Sequence, residues 1–284
     1  MSNNVFHGVF GSPFAAGDNG GRAYDSRVLA WEAAVIANGG TVSLARRIIV
    51  DQLVFDLEAC GAYALIDDFS IRAGENAPQA LTSIKQRRLA TPVNSPLFTV
   101  NRGYTYDAAT NYLATGFIPS SHAGAMTGSD PHLGLYLRTD IANPASSAAL
   151  GSRTNTSQNF TLRPRGASGA ANSTVYSLNC TLVGTPAIVT TRRLTSVERF
   201  GAGPTVKTYI DGVLVDTASP ASTSTSLVTF EVYEGAFNSS ATAAGFYSGE
   251  CAFSYVGAAF QSDAMHATFW TAVQACLTSI GAAV

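Results

Sequence analysis

A mainly β fold, a two-sheet antiparallel jelly-roll sandwich with a small α-helical or mixed part before it and a helix after it, is what this sequence predicts. Three observations carry that expectation. Short runs of β-branched and aromatic residues recur from about residue 95 onward, separated by turn residues. Tyr209-Ile210-Asp211-Gly212-Val213 places a two-residue Asp-Gly loop between β-formers, a tight turn whose two central residues both need φ > 0. Helical patterning is confined to the stretches before Gly61 and after Ser262.

The chain divides into an extended arm over 1–25, a small helical or mixed subdomain over 26–95, and the sandwich over 96–284. The arm is rich in Gly and Asn and carries Val5, Phe6, Val9, Phe10 and Phe14. Burying a Phe contributes roughly 1.5–3 kcal/mol, whereas ordering each backbone residue costs about 1–2 kcal/mol. Three phenylalanines and two valines therefore cannot fix the arm unaided. It is expected to lie on another chain, with Phe6, Phe10 and Phe14 as assembly contacts.

In the next part, Ser26 is placed to cap a helix to about Ala37, and Asn38-Gly39-Gly40 ends it. Ser43 caps a second helix reaching Cys60-Gly61. Its Arg47, Asp51 and Glu58 share one narrow strip, while Leu44, Ile48, Ile49, Val50, Leu53, Val54, Phe55 and Leu57 cover most of the remaining circumference. Such a helix is expected between layers, not laid on a surface. Ala64 to Ile71 reads as a short strand.

Strands are then expected over Asn111–Ile118, Leu133–Thr139, Asn159–Arg163, Val175–Val183, Val206–Ile210, Val213–Val215, Leu227–Tyr233 and Glu250–Val256. Many short strands with no helix between them make a sandwich or barrel. From Ser262 a last helix carries Met265, Phe269, Val273, Cys276, Leu277 and Ile280 on one stripe.

Two resemblances rest on these residues. Tyr209-Ile210-Asp211-Gly212-Val213-Leu214-Val215 resembles the Y-x-D-G hairpin of laminin G-like members of the concanavalin A-like superfamily. Strands like Leu194 to Phe200 and Leu227 to Tyr233, the run Phe246 to Phe253, and a capped helix from Ser262 accompany it. That likeness covers roughly 105–284 and implies the fold more than a function. The second begins at Trp31-Glu32-Ala33-Ala34-Val35 with Asn38-Gly39-Gly40-Thr41-Val42-Ser43. It continues through Val93-Asn94-Ser95-Pro96 and Arg102-Gly103-Tyr104 to Asn111–Phe117, and resembles a segment of tailed-bacteriophage and prophage proteins. It implies a virion-associated structural protein, exposed as a decoration, fibre or host-contact component. Its partners would be other virion proteins and further copies of itself, and it would be assembled in the host bacterial cytoplasm.

Composition bounds the alternatives. The chain is 46% hydrophobic and only 13% charged, with a formal charge of −2, so it lacks the basic footprint of a nucleic-acid binder. No signal-peptide core opens it and no apolar run is long enough to span a bilayer, so a cytosolic origin is expected. Cys60, Cys180, Cys251 and Cys276 lie far apart, and His7, His122, His132 and His266 read as unclustered. No metal site or cofactor is therefore expected, and the cysteines are expected as buried thiols.

Glucanases on such a fold place carboxylates on alternate positions of one strand. Here Glu231 and Glu234, like Asp67 and Asp68, fall on opposite faces, so no catalytic residue is assigned and a glycoside hydrolase is only a remote alternative. The nearer alternative is an adhesin recognising a host surface sugar. Tyr104, Tyr106, Tyr136 and Tyr233 are its candidate platforms, although each reads more readily as an ordinary sheet aromatic. Asp107, Asn111 and Asp130 form the one loose grouping for Ca²⁺.

Overall fold

The computed structural model describes residues 21–140, 147–168, 170–179, 183–187, 190–200, 205–220, 224–260 and 262–284. Helices α1 (Ser26–Ala37) and α2 (Leu44–Ala59) come first, then one turn, α3 (Ala62–Leu65), running into strand β1 (Ile66–Ile71). Short elements follow: α4 (Ala77–Leu81), β2 (Thr91–Val93), β3 (Leu97–Thr99), β4 (Gly103–Asp107), β5 (Tyr112–Ala114) and α5 (Pro119–His122). Next are β6 (Pro131–Leu137), β7 (Leu150–Arg153), β8 (Asn159–Ser168), β9 (Ala170–Leu178) and β10 (Val183–Ala187). The chain continues through β11 (Leu194–Phe200), β12 (Thr205–Ile210), β13 (Val213–Ala218), β14 (Tyr233–Glu234), β15 (Phe237–Ser239) and β16 (Thr242–Ala244). It closes with β17 (Ser248–Ala258) and α6 (Asp263–Ile280).

Two sheets result. One has the order β13-β12-β11-β6-β17-β4-β3, and β1 joins the edge of β17 that β4 uses further along. The other has the order β10-β9-β8-β7-β14-β5-β2, with β15 and β16 beside it. Pairing is antiparallel except between β15 and β7.

Alternation along β6 explains the layering. Leu133, Leu135 and Leu137 face the second sheet, in a core with Leu150, Phe160, Leu162 and Val197. Tyr136, on the opposite face, enters a second core made with α1, α2, β1 and α6. The architecture is thus two facing sheets with a helical layer over the outer face of the first. Because β1 pairs with β17 and shares that outer core, the expected division near residue 95 is not a packing boundary.

Caps follow sequence chemistry, with one change. Asp25, not Ser26, caps α1 by accepting from Arg27 N at 2.8 Å. Ser43 caps α2 and Ser262 caps α6, each accepting from the amide three residues on. The Asp211-Gly212 turn has φ of 50° and 75°, and Asp211 Oδ1 also accepts from Leu194 N at 2.9 Å.

Three strand expectations are corrected. Only Tyr112–Ala114 of the Asn111–Ile118 run pairs, because Gly116 turns the chain at φ 73°. The Val175–Val183 run is two strands, broken where Asn179 adopts φ 55° and its amide donates to the carbonyls of Gly128 and Ser226. Leu227–Tyr233 is irregular apart from its last residue. It runs against the Thr115–Ser120 segment through Val232 N to Phe117 O and Ser120 N to Val228 O, not through a ladder. No helix among the described residues is long and apolar enough to cross a membrane.

Candidate functional site

An apolar groove lies between α2 and α6. Helix α2 buries Ile48, Val50, Leu53, Val54 and Leu57, but Leu44 and Phe55 are about half exposed. Opposite, α6 buries Phe269, Val273, Cys276 and Leu277 and turns Ala, Thr and Ser side chains toward the gap. The two helices enclose a groove of ≈ 770 Å³ lined by Ile48, Ile49, Phe55, Cys60, Met265 and Cys276 among others. The all-round apolar character of α2 called for cover on two sides. The described residues cover one.

The first described residues reach the same place. Arg22 pairs with the buried carboxylate of Asp51 on α2, and its guanidinium lies 4.5 Å from the centroid of the Phe55 ring. Asp25 N donates to Asp51 Oδ1 at 2.6 Å. The first described residues therefore lie at the α2 rim of the groove. Phe6, Phe10 and Phe14 lie outside the described residues.

The candidate sugar platforms are corrected. Tyr104, Tyr106, Tyr136 and Tyr233 are all buried, so none offers an open ring face. Tyr136 hydrogen-bonds the Val284 backbone, Tyr106 donates to Glu234 at 2.6 Å, and Tyr233 packs on Tyr112 with centroids 4.5 Å apart. Alternation alone could not separate a core tyrosine from a surface one, because both sheet faces here are covered.

The carboxylates weighed for chemistry are structural. Asp67 accepts from the amides of Gly124, Ala125 and Met126 and fixes that loop on β1. Burial pushes Asp68 up to about 6, against hydrogen bonds from Ser83 and from the amides of Gln86 and Phe69. Glu231 accepts from Gly116 N. Asp107 takes the amides of Ala109, Thr110 and Asn111, which outweigh its slight burial and hold it at about 2. Asn111 Oδ1 returns to Asp107 N and Asp130 caps Thr127, so the loose Ca²⁺ grouping consists of two closed turns.

The histidines are also corrected. His132 and Glu198 face each other across the β6–β11 ladder, and α6 lays His266 over them. Donor atoms of the three side chains all lie within 4.8 Å of one another, and all three residues are buried. Both strands are legible in the sequence; their register and the seat of α6 are not. Cys251 and Cys276 are buried and Cys60 is half-buried, all as free thiols, while Cys180 lies outside the described residues.

No family model and no curated protein matches this sequence. Domain 4 of AbnA, a GH43 extracellular arabinanase from Geobacillus stearothermophilus solved with arabinotriose, aligns at 10% identity and TM-score 0.47 over 71% of this chain and 98% of that one. The CBM40 of a Ruminococcus gnavus IT-sialidase bound to α2,6-sialyllactose aligns at 15% identity and TM-score 0.39, over 63% and 97%. The Streptococcus pneumoniae NanB sialidase aligns at 12% and 0.43 over 63% of this chain, which spans only 27% of the sialidase. Similarity this distant transfers neither a ligand nor an activity to this chain.

Proposed function

We propose that this chain is a structural protein of a bacteriophage particle, exposed as a decoration, fibre or host-contact component, and that it works by binding neighbours and not by catalysis. The observation that carries the reading is the apolar α2–α6 groove, open on a helix whose sequence calls for cover on both sides. Its occupant in this reading is the N-terminal arm of a neighbouring copy. Arg22, among the first described residues, lies at the groove rim beside Phe55, and the sequence before it supplies phenylalanines at four-residue spacing. Twenty extended residues reach about 66 Å, more than twice the length of α6 at about 27 Å, so an arm can span its own groove and enter the next. The charge-poor composition and the likeness of residues 31–117 to tailed-phage proteins support the particle setting. Against catalysis stand the backbone amides and buried partners that already engage Asp67, Asp68, Asp107 and Glu234.

Density-purified particles from phage-producing cells, analysed by quantitative peptide mass spectrometry, test the assignment. The chain is expected as a stoichiometric component. Its absence from particles, with the protein present free in the same lysate, would refute a virion role.

A further inference from the structure

We propose that His132, Glu198 and His266 form a buried site for one zinc-class divalent cation. The donor set is two imidazoles and one carboxylate, a combination that zinc accepts. Three observations point to an ion and not to a self-contained polar cluster.

The first is charge. Glu198 is buried at 2% exposure, accepting from Phe260 N at 2.7 Å and from the Tyr209 hydroxyl at 3.2 Å, while Lys207, its cross-strand neighbour on β12, is turned to Asp263 at 2.9 Å. A buried carboxylate needs a counter-charge. A divalent cation between the three side chains would supply it.

The second is alignment. His266 Nε2 lies 3.0 Å from Glu198 Oε2, yet the pair lacks hydrogen-bond geometry. A protonated imidazole paired with the carboxylate would aim its N–H at that oxygen. Two ligands of one ion instead aim at a shared point, and sit roughly 3.3 Å apart for bonds of about 2.0–2.1 Å.

The third is support. The His266 ring stacks on Tyr209 with centroids 3.4 Å apart and planes at 12°, and Tyr255 OH lies 2.7 Å from His132 Nε2. Phe260 packs edge-on against His132 at 4.4 Å. His132 Nδ1 and His266 Nε2 are both buried without a hydrogen-bond partner. Rings held this way are oriented ligands, and three protein donors leave a fourth position for water. The ion would lock α6 onto β6 and β11, and at this depth it would be loaded as the chain folds.

The full chain, refolded with and without one equivalent of Zn²⁺ and dialysed against a weak chelator, tests this by elemental analysis and thermal melting. About one zinc per chain should be retained, with a melting temperature about 5 °C or more above the metal-free sample. Co²⁺ in its place should give the visible absorption of a low-coordinate nitrogen–oxygen site, a readout that needs no variant. His266→Gln and Glu198→Gln should each abolish retention. No retained metal with identical melts would overturn the proposal. So would full retention in His266→Gln, which would place the ion elsewhere.

Discussion

Arg72 and Glu234, 162 residues apart in the chain, form an ion pair buried between the two sheets, with Nε 3.0 Å from Oε2. Glu234 stands on β14 of one sheet, while its other partners, Tyr106 on β4 and Ser254 on β17, belong to the opposite sheet. Burial alone would raise this carboxyl; Arg72 and the two hydroxyls hold it below its ordinary value. Arg72 also donates to Ala80 O at 2.9 Å, so the pair joins the N-terminal elements to both layers.

Removing one member leaves the other charged, buried and unpaired. Arg72→Met and Glu234→Leu are each expected to cost about 3–5 kcal/mol, whereas the Arg72→Met/Glu234→Leu double variant should cost much less than the two single losses combined. Urea unfolding measures all four proteins. Strict additivity would show that the two residues do not act as a unit.

Asp68 gives a pH signature of known sign. Its carboxyl sits at about 6 in the fold against 3.8 ordinarily, so the folded state holds the proton more tightly. Stability therefore falls as pH rises from about 4 to about 6, and the penalty is complete above that, up to roughly 3 kcal/mol. Asp68→Asn keeps an oxygen for the amides of Phe69 and Gln86. The variant should be the more stable form at pH 7, with the advantage disappearing near pH 4. An offset that stays constant across this range in denaturant titrations would contradict the assignment.

Gly212 serves the hairpin turn and the seat of α6 together. Its φ is 75°, and a Cβ there would lie 2.8 Å from both His266 O and Trp270 Cβ. Gly281 has φ 80° with nothing within 4 Å, and so isolates the backbone cost alone. Gly212→Ala should lose about 1–3 kcal/mol beyond the loss in Gly281→Ala. Equal losses in thermal melts would mean that α6 gives way at no cost.

The hairpin, its flanking strands and the terminal helix were legible because their signals are local: an Asp-Gly pair, β-branched runs and a serine cap. Leu227–Tyr233 misled because its composition is strand-like, while its hydrogen bonds go to an irregular neighbour. The buried tyrosines and the His132–Glu198–His266 cluster were illegible for a common reason. Each depends on which face a layer covers and on strand register, and both are set by contacts more than 60 residues apart. The groove was half legible. The apolar circumference of α2 announced a second covering surface without naming it.

Phe55 should matter more for association than for folding. It is 47% exposed, so Phe55→Glu is expected to change stability by less than about 1 kcal/mol while weakening self-association at least tenfold. A variant that unfolds would place Phe55 in the core, and one that associates unchanged would remove the groove from the interface.

The most direct test of the arm-and-groove account is the solution mass of the full chain beside that of residues 21–284, by sedimentation velocity across a concentration series. Arg22 and its contacts to Asp51 and Phe55 remain in the shorter chain. The account predicts a self-associating full chain, and a monomeric truncated chain with an unchanged melting temperature. Identical masses for the two, or a truncated chain that no longer folds, would contradict it.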